Sequence, residues 1–279
     1  MLKGIVVERA GRKITVLSNG KRYTGVPLGK VRSKTKVLAG DIVYGRCADG
    51  NFVIEGVEDR KTLLPKPPVA NADKVFVVVS IKNPPFNSYI LDTLLVVYSY
   101  FGVKALVVFN KIDTLTLEEQ ARLEHLANIY SSAGYRVFKV SAVTGEGLKE
   151  LSFALKGAIS VFAGPSGTGK SSIVSKLTGQ PLRVGTASQA GRHTTREVRL
   201  IPFEGGFIGD TPGFSKVDVS AFVNKEDIRF FFPEFLKYRC KFSSCLHAGE
   251  EGCEVAEAVE KGEIPQERYA NYLRILRSY

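Results

Sequence analysis

Two short motifs stand in an order that few folds allow. Gly164-Pro165-Ser166-Gly167-Thr168-Gly169-Lys170-Ser171, with Ser172 after it, has the spacing of a phosphate-binding loop. Asn110-Lys111-Ile112-Asp113 has the Asn-Lys-x-Asp spacing of a guanine reader, and it lies before that loop in the chain. In an ordinary P-loop GTPase the tetrapeptide comes second. All parts of a GTP site are therefore present in rotated order. This predicts a circularly permuted nucleotide-binding domain and fixes which of its ends leads into the next segment.

The residue types suit that chemistry. The apolar run 158–163 feeds the loop, and a helix is expected over 171–177. Glycines let backbone N–H groups turn inward around phosphates. Lys170 is expected to reach the β- and γ-phosphates and the Ser171 hydroxyl to ligate Mg²⁺. The helix N-terminus adds partial positive charge. A carboxylate at Asp113 accepts both the N1–H and the N2 amino hydrogens of guanine, a donor pair that adenine lacks. The aliphatic stem of Lys111 covers the base, and Ser141-Ala142 is expected to offer an N–H to guanine O6. Asp210-Thr211-Pro212-Gly213 follows a strand, which suits Asp210 to Mg²⁺ and the Gly213 N–H to the γ-phosphate. Gly191-Arg192-His193-Thr194-Thr195 lies between loop and acid. One of its threonines, with Thr195 preferred over Thr194, is expected to complete the Mg²⁺ shell.

Around these motifs the hydrophobic pattern divides the chain in three. Residues 1–64 carry short β-branched runs at 4–8, 13–17, 41–45 and 51–54, separated by Gly11, Asn19-Gly20 and Asp49-Gly50. They predict a small barrel of OB or SH3-like type, with a basic loop bearing Arg32, Lys34 and Lys36. Pro65-Lys66-Pro67-Pro68 reads as a stiff linker. Residues 65–218 alternate strands at 75–79, 105–109, 137–140, 158–163, 196–203 and 207–208 with helices at 88–101, 116–134 and 148–155. This is a doubly wound α/β pattern. Thr116 and Glu119 form a capping-box signature. Residues 219–279 predict helices near 224–232, 254–261 and 265–277 around a cysteine-rich loop.

Charge follows the same division. Residues 1–64 hold 13 Lys/Arg against 6 Asp/Glu, whereas 219–279 hold 9 against 10. A basic first segment suits a polyanion, nucleic acid above all. No apolar run is long enough for a membrane helix and no signal peptide is evident, which predicts a soluble cytoplasmic protein with no membrane partner.

Of the four cysteines, Cys47 is isolated and reads as a small buried hydrophobe. Cys240, Cys245, His247 and Cys253 supply the Cys₃His set of a closed tetrahedral site, which predicts one structural Zn²⁺. A segment this short buries little core, so the metal is expected to supply much of its folding energy. Lys237, Tyr238, Arg239, Lys241 and Phe242 next to it read as a nucleic-acid surface or as a solvated rim.

Taken together, Asn110–Asp113, SAVTG at 141–145, GPSGTGKSS at 164–172, GRHTT at 191–195, DTPGF at 210–214 and the Cys₃His spacing resemble the circularly permuted GTPases of the YjeQ/RsgA family. The resemblance covers nearly the whole chain. It implies a GTPase, working with Mg²⁺ and GTP/GDP, that binds the small ribosomal subunit and its rRNA; a monomer is the expected state. It also implies action late in that subunit's maturation and hydrolysis stimulated by the subunit. The permutation leaves only about 25 residues between Gly213 and Cys240, which predicts that nucleotide state sets affinity for the particle. Phe214 stands where many GTPases place a water-orienting glutamine, and phenylalanine cannot make that hydrogen bond. His193 is the candidate for the task; the alternative is that it contacts phosphate, RNA or its own loop. Two other readings remain at this level. One is a GTP-gated RNA-binding switch with incidental hydrolysis and a non-ribosomal target. The other is a P-loop kinase or ATPase, against which Asp113 argues.

Overall fold

A computed structural model describes residues 1–65, 68–181, 198–210 and 218–279. The expectations for His193, Thr194, Thr195, Gly213 and Phe214 fall outside the described residues. Contacts within the chain gather into two compact units. The first holds Met1–Val75, Glu150–Ala163 and Ser171–Pro212; the second holds Phe76–Lys149, Gly164–Lys170 and Gly213–Tyr279. Both units draw on the central segment of the sequence.

The first unit begins with a closed barrel. Its strands are β1 (Leu2–Ala10), β2 (Lys13–Ser18), β3 (Lys21–Pro27), β4 (Ile42–Ala48) and β5 (Asn51–Val57), in the order β1-β2-β3-β5-β4 with β4 returning to β1. The β3–β5 pair is parallel and the others are antiparallel. This is the five-stranded OB-type arrangement. Alternate residues fill it: Val6, Ile14, Val16, Val43, Phe52 and Ile54 are buried together with Val31. Closure leaves no free edge for stray pairing. Asp41, fully buried, accepts from both Nε and Nη2 of Arg60 at 2.7 and 2.9 Å and from the Leu38 N–H.

Four of the sequence expectations change here. β3 carries Lys21, Arg22 and Pro27 and has one face in water, so it shows no clear apolar run. The expected basic loop is a short helix, α1 (Gly29–Lys34), which exposes Lys30, Arg32 and Lys34 while Val31 anchors it inward. Pro65 and Pro68 pair across a two-stranded hairpin, β6 (Leu63–Pro65) with β7 (Pro68–Ala70); they do not form an extended linker. Buried Leu64 and Val69 hold that hairpin down. Cys47 is exposed: it pairs with Phe52 one residue pair from the turn that closes the β4–β5 hairpin, and Phe52 fills the barrel there.

The first unit also contains β11 (Ile159–Ala163), β12 (Val198–Phe203) and β13 (Gly206–Asp210), numbered after β8 to β10 of the second unit. β11 and β13 are parallel, and β12 pairs antiparallel with β13. On its other side β12 pairs with barrel strand β1, Glu8 opposite Arg199 and Arg9 opposite Val198.

The second unit holds β8 (Lys74–Val79, from Phe76 on), β9 (Lys104–Asn110) and β10 (Val137–Val140), ordered β10-β9-β8. Val75 to Val78 and Val107 to Phe109 are fully buried, as strands covered on both faces require. Helices α2 (Ser88–Tyr100) and α3 (Leu117–Ser132) follow β8 and β9. Asn87 caps α2 by accepting from the Ile90 N–H. Thr116 and Glu119 make both bonds of a capping box on α3. α4 (Leu148–Leu155) and α5 (Lys170–Thr178) complete the central helices.

The C-terminal segment packs into this same unit. The expected helix near 224–232 is a 3₁₀ helix, Lys225–Phe231, followed by a second at Pro233–Phe235. The aromatic run Phe230-Phe231-Phe232 followed by Pro233 allows little regular α-helix. α6 (Glu254–Glu260) and α7 (Gln266–Leu276) close the chain. Their core joins Val96 and Val97 of α2 to Phe232, Phe235, Val255, Tyr272 and Ile275. Within it lies Arg268, only 1% exposed. Its guanidinium grips Glu234 with Nε (2.7 Å) and Nη2 (3.2 Å), and Nη1 donates to Asp92 of α2. Asp92 also accepts from Asn271 at 2.6 Å and from the Tyr130 hydroxyl at 3.0 Å.

Candidate functional site

β11 delivers the phosphate-loop motif and α5 opens at Lys170, so the loop has the strand and helix that its chemistry needs. Two glycines are obligatory by space as well as by backbone. Gly164 has φ +124°, and a Cβ there would lie 2.1 Å from the Val78 carbonyl oxygen. Gly169 has φ +91°, and its Cβ would lie 2.2 Å from Asn110 Nδ2. No L side chain fits either place. Thr168 is buried and its Oγ1 donates to the Pro165 carbonyl at 3.0 Å. Lys170 is 7% exposed, with Nζ 3.0 and 2.8 Å from the carbonyls of Gly164 and Pro165. Its ammonium thus sits inside the loop that it serves. Ser171 and Ser172 form the next two positions of α5.

β9 ends on Asn110, and this residue ties three segments together. Its Nδ2 donates to the Thr168 carbonyl at 2.8 Å, and its Oδ1 accepts from the Ala142 N–H at 3.1 Å. Lys111 follows in the left-handed region, φ +68°, which turns its side chain back across the loop. Its Nζ donates to the carbonyls of Asn83 and Gly167 at 2.6 and 2.7 Å. The stem is therefore held straight as a platform. Asp113 lies in the short 3₁₀ helix Ile112–Thr114 with an exposed side chain. Ser141 follows β10 and is fully buried, and its Oγ accepts from the N–H groups of Val143 and Thr144. That turn fixes the backbone at Ala142.

The second unit thus brings Asn110, Lys111, Ala142 and the loop from Gly164 to Lys170 together through hydrogen bonds. Sequence reasoning missed the role of the Asn83 carbonyl and of Pro84, whose Cδ would lie 3.7 Å from a Cβ on Gly167. The Asn-Pro-Pro run at 83–85 after β8 was the available signal. The Asp92–Arg268–Glu234 cluster was missed as well. A single acid within the apolar Tyr89-Ile90-Leu91-Asp92-Thr93-Leu94-Leu95 run was its mark.

The cysteine cluster is equally compact. Cys240, Cys245, His247 and Cys253 place one ligand atom each within 4.8 Å of one another. His247 Nδ1 lies 3.3, 3.5 and 3.5 Å from the three sulfurs, and Cys240 and Cys253 are 3.9 Å apart. Tetrahedral bonds of about 2.3 Å to sulfur and 2.0 Å to nitrogen put ligands roughly 3.5–3.8 Å apart. The donor set and its spacing fit, and the cluster can hold a metal ion. The His247 N–H donates to Cys245 Sγ and the Ala256 N–H to Cys253 Sγ, both at 3.4 Å. Burial pushes the Cys245 thiol up to about 12 and raises that of Cys253. A cation lets such buried thiols ionise together. The Tyr269 hydroxyl donates to the His247 carbonyl and that of Tyr272 to the Leu246 carbonyl, so α7 holds the ligand loop.

Residues 57–220 match the family model described as RsgA GTPase. The chain belongs to the RsgA GTPase family. Two relatives named small ribosomal subunit biogenesis GTPase RsgA agree. That of Thermotoga petrophila is 41% identical over 98% of this chain and 95% of its own length. That of Caldanaerobacter subterraneus subsp. tengcongensis is 40% identical over 89% and 86%. Among solved structures, YjeQ from Thermotoga maritima superposes with a TM-score of 0.87 at 38% identity, covering 99% of this chain and 97% of that one. YloQ, described as a circularly permuted GTPase, gives 0.85 at 27% identity, covering 99% and 94%. The RsgA fold of this chain is thus a small barrel, a permuted GTPase and a C-terminal Cys/His segment. As an RsgA GTPase it is a hydrolase of GTP. Among the described residues no helix is long and apolar enough to cross a membrane.

Proposed function

We propose that this RsgA-family GTPase acts on the small ribosomal subunit late in maturation, and that its nucleotide state sets its grip on that particle. Asn110 carries the reading: one buried amide couples the phosphate loop to the Ala142 turn, as guanine recognition next to a phosphate cradle requires. The names of the relatives supply the partner.

In this proposal Asp113 reads guanine N1–H and N2, Lys111 covers the base, and the Ala142 N–H meets O6. The backbone from Gly164 to Gly169 and Lys170 hold the phosphates, with Ser172 at their edge. Ser171, Thr195 and Asp210 hold Mg²⁺, whose chemistry is to neutralise charge developing on the phosphates. Thr194 and the Gly213 N–H flank the γ-phosphate, and His193 positions the water. The Cys₃His ion is Zn²⁺ in a structural role. The protein is a cytoplasmic monomer in three parts, 1–64, 65–218 and 219–279, and rRNA lies against the basic barrel. Hydrolysis lowers affinity for the particle.

GTP turnover with and without purified small subunits tests the proposal. Stimulation by small but not large subunits supports it. The second reading, a GTP-gated RNA switch on another target, draws on Phe214 in the glutamine position. Nucleotide-dependent RNA binding without stimulation would favour that reading.

A further inference from the structure

A recess of about 290 Å³ opens beside the Cys₃His cluster, between the two 3₁₀ helices and residues 238–243. Its rim is apolar and uncovered: Phe230 is 52% exposed, Phe242 51% and Leu236 60%. The walls are nevertheless fixed. The Arg229 guanidinium lies 4.8 Å from the Phe230 ring centre, and its Nη1 donates to the Cys245 carbonyl. The Tyr238 hydroxyl donates to Glu263 at 2.9 Å and the Arg239 N–H to Glu254 at 2.9 Å. Bound walls with open rings suit a ligand that brings a flat face of its own.

Charge narrows the class. Arg239 lines the recess, and Lys237 and Lys241 stand exposed two residues to either side of it in sequence, the Lys241 ammonium 5.5 Å from the Phe242 ring centre. From Ile228 to Gly249 the only acid is Glu234, which is buried against Arg268. The C-terminal segment as a whole is slightly acidic, so these cations form a local concentration. A polyanion with planar groups satisfies both features, and single-stranded RNA is such a partner, since its bases stack on aromatic faces while Lys and Arg track phosphates. The volume lies at the lower limit of small-ligand pockets, which suits one base.

We propose that this recess is a subsite for one unstacked RNA base, stacked on Phe230 or Phe242, with Lys237, Arg239 and Lys241 on the adjoining phosphates. The inference rests on the RNA-binding part of the reading above and not on its hydrolytic part.

The test uses the full-length, metal-loaded protein and a fluorescein-labelled single-stranded RNA hexamer containing 4-thiouridine. Affinity is followed against salt, crosslinks are mapped, and subunit-stimulated turnover is measured in parallel. The ring that carries the base shows itself: Phe230→Ala or Phe242→Ala, and the double variant, weakens hexamer binding roughly 5- to 150-fold, with an unchanged salt slope. Lys241→Ala flattens the slope by about 0.7. Crosslinks map to residues 229–243, Phe242→Tyr keeps its affinity, and GTP turnover without subunits is unchanged in all variants. Both rings are half in water, so the alanine variants fold.

Unchanged hexamer affinity in Phe230→Ala/Phe242→Ala, or crosslinks confined to the barrel, overturns the subsite; persistent stimulation by subunits would then leave the ribosomal reading standing. Loss of stimulation with intact hexamer binding assigns the recess to a protein segment and also overturns it. Weakened hexamer binding in a protein that subunits never stimulate keeps the subsite and removes the ribosomal target.

Discussion

Asn110 and Thr168 are 58 residues apart in sequence and share a buried hydrogen bond of 2.8 Å. It joins the base-reading strand end to the phosphate loop. Asn110→Ala leaves the Thr168 carbonyl and the Ala142 N–H without their partner. Each unmet buried group costs about 1–3 kcal/mol. GDP affinity is expected to fall by one to two orders of magnitude, with a lowered Tm. Titration calorimetry and a thermal melt check both.

Gly164 and Gly167 differ in the space around them. A Cβ on Gly164 meets the Val78 carbonyl, whereas one on Gly167 meets nothing nearer than Pro84 Cδ at 3.7 Å. Gly164→Ala is expected to abolish nucleotide binding. Gly167→Ala carries only the cost of its positive φ, about 1 kcal/mol, and keeps measurable binding. Filter binding of labelled GTP separates the two.

Asp113→Asn replaces a double acceptor by an amide that also donates. Xanthine carries a carbonyl where guanine has its amino group. The variant is expected to lose GTP by roughly 10⁴-fold and to gain xanthosine triphosphate. A competition assay reads the exchange directly.

Arg268→Met removes the one cation between Asp92 and Glu234. Two buried acids then face each other unpaired, and about 3–5 kcal/mol of stability is expected to go. The double change Arg268→Met with Asp92→Asn recovers part of it. Urea unfolding of the variants measures both values.

Metal removal is expected to loosen the C-terminal segment first. The protein should bind one Zn²⁺ per chain, and because ligation displaces thiol protons, affinity should fall as pH falls. Cys245→Ser should lose the ion. Metal analysis and hydrogen exchange across 236–256, at neutral and mildly acid pH, test this.

What the sequence made legible is the chemistry that only a few residue types can perform. Phosphate loops need glycine, and a tetrahedral site needs thiolate and imidazole at short spacing. Asn110, Gly169 and Cys253 were readable for those reasons, as was the Thr116–Glu119 box. Strand β3 was not, because Lys21, Arg22 and Pro27 face water while its pairing is made by backbone. Cys47 misled because burial at a hairpin end depends on which side chain fills the barrel, and there it is Phe52. Arg268 and Glu234 were invisible for a different reason: on a helix and next to a proline they look like ordinary surface charge. Only the fold brings them to Asp92.

The Asp92–Arg268 contact spans 176 residues. During synthesis α2 leaves the ribosome long before its counter-charge exists. Until α7 emerges, Asp92 must stay hydrated or protonated, and α2 cannot settle into its final core. Contacts of such long range close slowly. Helix α7 therefore completes the core around α2. A nascent or truncated copy carries every nucleotide motif, yet it lacks the residue that lets the helix after β8 be buried.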